Sequence, residues 1–193
     1  MQEITGDLFE SEKADAIVIL TNGFVNKAGA VTMGRGCAAE AKYRWPGIQI
    51  SIGTLIQEGG NDCYLLTDLV EGQILLGVPE TWGVCHKLPY HLVTFPTKPE
   101  ECRFAELLPK HAHQHVAEVT ETERYPGWMA HSDLKLIERS AQQLVSLTDQ
   151  HQWQSVVLPR PGCGLGLLSW QDEVRPLLST ILDERFYAIN FAR

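Results

Sequence analysis

Two stretches of this chain share one design. "ADAIVILTNGFVNKAGAVTMGRGCAAEAKYRW" and "SVVLPRPGCGLGLLSW" each run from a short apolar segment, through a glycine loop, into a helical pattern. In the second loop Gly162, Gly164 and Gly166 fall close together. Glycine weakens ordered structure unless φ must be positive or another group must approach the backbone. A strand that feeds a helix through such a loop is the repeating unit of a parallel α/β sheet. Ligands in such sheets bind beyond the carboxyl ends of the strands. There the loop N–H groups and the helix N-terminus favour an anion, so two facing loops can hold a diphosphate between them. Neither loop contains G-x-x-x-x-G-K-[ST], so hydrolysis of the P-loop ATPase type is not indicated.

The rest of the pattern agrees with alternating strands and helices. Residues 14–20 and the segment "SVVLP" are continuous apolar runs, expected as buried strands. "YHLVTFP" and "RFYAINF" are expected as two further strands. "GRGCAAEAKYRW" is Ala-rich and stops at Pro46-Gly47, which predicts a helix. Ser132 is placed to cap a second helix through Asp149, with Leu134, Ile137, Ala141, Leu144 and Val145 at helical spacing. Ser169 opens a third, with Asp172 as capping partner, and Pro176 within it is expected to bend it or delay its start. "SIGTLIQEG" and "NDCYLLTDL" read as strands joined by a turn at Gly59-Gly60-Asn61. The fold class expected is a three-layer α/β/α domain with a mixed, largely parallel sheet. The domain expected is 1–193, interrupted by an aperiodic insertion or lid at about 99–131.

Composition narrows the partners. A chain of 193 residues with 44% apolar content can bury a core. Its net charge of −8 argues against an extended nucleic-acid surface, though not against a modified nucleic acid as substrate. Five scattered cysteines without a C-x-x-C pair favour reduced thiols and a cytoplasmic location. The N-terminus lacks a signal-peptide pattern, and no apolar run approaches the roughly 20 residues needed to span a bilayer.

The stretches "ITGDLFE", "ILTNG", "VTMGRGCAAEAK", "FPTK" and "LPRPGCGLGLLSW" together resemble the macrodomain family of ADP-ribose-binding modules. More narrowly, they resemble the branch with antitoxins that remove ADP-ribose from DNA and hydrolases that remove it from protein glutamates. The resemblance covers nearly the whole chain apart from 99–131. It implies ADP-ribose, or an ADP-ribosylated group, as ligand, with no cofactor and no metal. It places Asp7 against the adenine amino group, Leu8 beside the base and Asn22 at the distal ribose; by their local sequence Asp7 reads equally as a turn or cap residue, and Asn22 as a turn asparagine before Gly23. Met33, Gly34, Arg35 and Gly36 wrap the distal ribose and diphosphate through their backbone, and Gly162, Cys163, Gly164, Leu165 and Gly166 grip the diphosphate from the other side. Phe191 either stacks on adenine or is an ordinary core phenylalanine. Gly166 stands where the protein-glutamate hydrolases carry an aspartate, whereas the "FPTK" lysine of the DNA-directed antitoxins is present as Lys98. Lysine-dependent de-ADP-ribosylation is the implied activity. The alternatives are a non-catalytic reader of ADP-ribose or an NAD metabolite, and a phosphatase of ADP-ribose 1″-phosphate.

Other residues invite a second reading. His111, His113 and His115 alternate, as metal ligands on a strand can, or they are solvated in a loop. Cys163 between glycines is either an activated thiol or a small packing residue. Arg160 either reaches a phosphate or pairs with a neighbouring carboxylate.

Overall fold

The computed structural model describes residues 1–11, 13–66, 90–115 and 123–191. Residues 67–69 of the expected second hairpin strand, Cys85 and most of the acidic stretch 117–123 lie outside the described residues. The main sheet has five strands: β1 (Gln2–Gly6), β2 (Ala16–Asn22), β3 (His91–Lys98), β6 (Val156–Pro159) and β7 (Phe186–Phe191). Their order is β1-β7-β6-β2-β3, and each neighbouring pair is parallel. Among the described residues, an antiparallel bridge from Leu65 to Val93 adds to this sheet at β3.

The apolar runs are continuous because both faces of the sheet are covered. Along β2, Ile17 and Ile19 join one core cluster, while Ala16 and Val18 join the other. β7 divides the same way, with Ile189 on the first side and Phe186 and Ala188 on the second. Period-two alternation thus feeds two cores. The first lies under α1 (Gly36–Arg44) and α2 (Ile48–Gly59), the second under α4 (Leu134–Gln150) and α5 (Arg175–Ser179). This is the expected three-layer architecture.

The expected hairpin is overturned. Its first half is helix α2, which buries Ile48, Ile52 and Ile56 at helical spacing. The β-branched residues suggested a strand, but propensity is a weak prior once a face is buried. Gly60, at φ 91°, is the stop rather than the turn of a hairpin. Gly53 inside the helix is explained by packing: a β-carbon there would collide with the backbone carbonyl of Gly29. Strand β1 was not anticipated, because "QEITG" is short and mostly polar.

Pro176 sits in the first turn of α5, directly after a π-helical turn at Trp170–Val174 that Ser169 caps. A proline without N–H is tolerated at that position, so the helix starts late, as expected. The cap of α4 is a correction. Asp133, not Ser132, caps it, accepting from Lys135 N at 2.8 Å and Leu136 N at 3.3 Å. Asp133→Ala is therefore expected to cost about 1 kcal/mol in urea unfolding, whereas loss of the neighbouring Ser132 hydroxyl removes no cap.

Within 99–131, the described residues 99–115 and 123–131 are folded. They carry β4 (Glu101–Cys102), α3 (Pro109–His115), β5 (Tyr125–Pro126) and a 3-10 turn at Gly127–Met129. Strands β4 and β5 pair antiparallel over a small core of Cys102, Leu107, Tyr125 and Ala130.

Candidate functional site

A cavity of about 840 Å³ opens at the carboxyl ends of the sheet strands. Thr21 and Asn22 from β2, Thr97 and Lys98 from β3, Pro159 from β6 and Asn190 and Phe191 from β7 form its floor. The two glycine loops supply opposite walls, through Gly34, Arg35 and Gly36 on one side and residues 162–166 on the other. The insertion adds a third wall with Leu108, Lys110, His111 and Trp128.

The walls are electrostatically one-sided. Arg35, Lys98 and Lys110 line the cavity, as does Arg160, whose charge Glu3 offsets from outside the wall, and among the described residues no carboxylate lines it. In a chain of net charge −8, that local excess of cations calls for an anion. The backbone adds to it. Helix α1 begins at the cavity with no side-chain cap: Arg35 is its N-cap and makes no capping hydrogen bond. The N–H groups of an uncapped first turn are available to a ligand. Buried polar atoms tell the same story. Thr21 Oγ1, Ser132 Oγ and Arg160 Nε belong to cavity-lining residues and find no hydrogen-bond partner among the described residues. Such orphans are rare in folded proteins, and a ligand would satisfy them.

Lys98 owes its place to a bulge. Register runs from Thr21 opposite Pro96 to Asn22 opposite Lys98, so Thr97 is the extra residue. Pro96 has no N–H for the ladder, and the irregularity falls at that point. The Thr97 carbonyl instead accepts from Asp133 N at 3.0 Å, and the Lys98 carbonyl from Gly23 N at 3.1 Å. The Lys98 ammonium donates to the Trp128 carbonyl at 3.2 Å. Burial first, and nearby Lys110 second, push its pKa down to about 8, so both protonation states are accessible near neutral pH.

Of the residues expected from sequence, Asn22, Gly34, Arg35, Gly36, Lys98, Gly162, Cys163, Gly164, Leu165, Gly166 and Phe191 line this one cavity. Phe191 is 44% exposed, so it is not a core phenylalanine. Asn22 lines the wall but is also structural: its Nδ2 donates to Thr32 O at 2.8 Å and its Oδ1 accepts from Phe24 N at 3.2 Å, tying down the first loop.

Three expected residues stand outside the cavity wall. Leu8 is fully buried and Met33 is packed in the same core, and neither lines the cavity. Asp7 lies outside the cavity wall, and its Oδ1 accepts from Phe9 N at 2.8 Å as the cap of a 3-10 turn. It nevertheless follows Gly6, whose register partner is Phe191, so it stands at that end of the cavity. Cys163 is not activated: burial pushes its thiol up to about 11, and it donates to Pro161 O at 3.3 Å.

Two open readings resolve. Arg160 pairs with Glu3 at 2.8 Å while its guanidinium lies over the Trp170 ring. The histidine segment is helical, so the strand geometry for alternating ligands is absent, and no group of three or more potential metal ligands occurs among the described residues.

Sequence reasoning missed Lys110, His111, Trp128, Thr97 and Ser132 as wall residues. His111 and Trp128 meet edge to face at 5.1 Å between ring centroids. The aromatic stretch "YPGW", Tyr125 to Trp128, carries no local signal that ties it to Lys98. A β-carbon at Gly127 would collide with the Pro99 carbonyl, and that close backbone approach carries Trp128 to the lysine.

A parallel sheet between two helical layers, with a glycine-walled cavity at the strand ends, is the macrodomain fold. The macrodomain of Mycobacterium tuberculosis DarG matches with a TM-score of 0.62 and 20% identity, over 100% of this chain and 97% of that one. The macrodomain of Thermus aquaticus DarG matches with a TM-score of 0.61 and 18% identity, over 100% and 97% respectively. Thermosipho africanus DarTG in complex with ADP-ribose matches with a TM-score of 0.63 and 19% identity, over 98% of this chain but 41% of that one. This chain thus spans less than half of that last protein. No protein-family model matches the sequence, and no curated protein does. Among the described residues, no helix is long and apolar enough to cross a membrane.

Proposed function

We propose that this protein binds ADP-ribose, free or attached to a substrate, and that Lys98 cleaves the linkage at the distal ribose. One observation carries the reading: in an acidic chain, a cavity of about 840 Å³ has two glycine loops, an uncapped helix start and only basic charged side chains on its walls. A diphosphate lies between the loops and draws N–H groups from the start of α1 and from residues 162–166. Phe191, with Asp7 nearby, marks the adenine end. Lys98 marks the distal ribose end. The ADP-ribose in the DarTG structure supports the choice of ligand.

The lysine suits the chemistry. With a pKa near 8 it is partly neutral at working pH, and the neutral amine can attack C1″ of the linked ribose, displacing the substrate group, which leaves with the proton the amine gives up; water then hydrolyses the amine–sugar adduct, freeing ADP-ribose and restoring the lysine. With no carboxylate on the described walls, catalysis rests on the amine and on the fixed positive field. Calorimetry tests the first half of this reading. ADP-ribose is expected to bind with micromolar affinity, about −8 kcal/mol. No heat and no thermal shift at millimolar ligand would refute it. Incubation with ADP-ribosylated DNA, protein and small molecules, following release of ADP-ribose, tests the second half.

A further inference from the structure

We propose that Ser132 is a ligand-contacting residue of this site, and that its hydroxyl hydrogen-bonds a hydroxyl of the distal ribose. The inference rests on the ADP-ribose reading above. Ser132 is 7% exposed, and its Oγ has no hydrogen-bond partner among the described residues. It lines the cavity. The cap that its position suggested is supplied by Asp133, so the hydroxyl has no task in holding α4.

Its backbone explains where that hydroxyl sits. Ser132 N donates to the Gly166 carbonyl at 3.1 Å, and the next N–H, of Asp133, donates to the Thr97 carbonyl at 3.0 Å. Ser132 is thereby held between the second glycine loop and the strand end that carries Lys98. In the ADP-ribose reading above, those two elements meet at the distal sugar. A buried hydroxyl deprived of partners is unfavourable, and it is retained most easily where a ligand supplies the missing bond.

The same hydroxyl dictates residue 166. A β-carbon on Gly166 would collide with Ser132 Oγ and lie 2.5 Å from the Gly162 carbonyl. No side chain fits at 166, so the polar group offered to the ligand at this point of the second loop is the serine hydroxyl. A ribose hydroxyl, which both donates and accepts, is the chemical partner it matches.

The test compares ADP-ribose with ADP, which lacks the distal ribose, on the wild type and on Ser132→Ala. The variant is expected to bind ADP-ribose about tenfold more weakly, a loss typical of one hydrogen bond, and ADP as well as the wild type does. Its ligand-free melting temperature should stay level or rise, because an unpaired buried hydroxyl has gone. Unchanged affinity for ADP-ribose overturns the proposal. Equal loss for both ligands, or a lower melting temperature with it, also overturns it, since the hydroxyl then only shapes the loop. A wild type that binds neither nucleotide refutes the ADP-ribose reading itself and the proposal with it.

Discussion

Lys98→Ala is expected to abolish release of ADP-ribose while leaving ADP-ribose affinity within a few-fold of the wild type. The rate loss should reach about 10²–10⁴, the range for removal of one group that handles the proton or bond in the transition state. Single-turnover release from the true substrate, beside calorimetry with free ADP-ribose, separates the two effects. The pH profile gives the sign. Burial and Lys110 both favour the neutral amine, so wild-type activity should rise with pH and level off above about 8. A profile that falls through the same region would assign the ammonium as a proton donor instead. If Lys98→Ala loses affinity and the wild type releases nothing, Lys98 is a binding residue and the protein is a reader.

The same shift has a consequence for stability. The folded pKa lies below the value of about 10.4 for an unfolded lysine, so the folded chain releases this proton first. The penalty for burying the ammonium is complete below about pH 8 and fades as pH rises through that window. Lys98→Met should therefore melt higher than the wild type at pH 7, with the advantage shrinking toward pH 10.

The second large effect concerns the glycine loops, where two neighbours should respond in opposite ways. Gly164 has an ordinary negative-φ backbone and open space where its β-carbon would be. Gly164→Val should fold and melt as the wild type does, yet lose more than about 100-fold in ADP-ribose affinity, because the side chain stands where the diphosphate approaches. Gly166→Val should instead destabilise the protein without any ligand, since its β-carbon collides with Ser132 and crowds Gly162. Thermal melting and calorimetry on the pair separate a glycine kept for a ligand from one kept for packing. Normal binding by a folded Gly164→Val protein would remove the second loop from the diphosphate site.

The sequence alone determined the two strand–loop–helix units, because their signals are local. An apolar run buried on both faces, a loop that needs glycine, and a helix with its stop are each written within about ten residues. It therefore placed the cavity at the ends of β2 and β6, with Lys98 at the end of β3. What it could not determine depends on contacts between distant segments. The helix at Ile48–Gly59 follows from burial against the sheet and from the carbonyl of Gly29 packed on Gly53, and both override the β-branched propensity. Burial in the first core keeps Leu8 and Met33 off the cavity wall. The third wall of the cavity came from an insertion without periodicity, which docks through the close approach of Gly127 to Pro99. Only that docking brings Trp128 and Lys110 to Lys98 and lowers its pKa. Burial and charge proximity are properties of the packed chain, and no local pattern carries them.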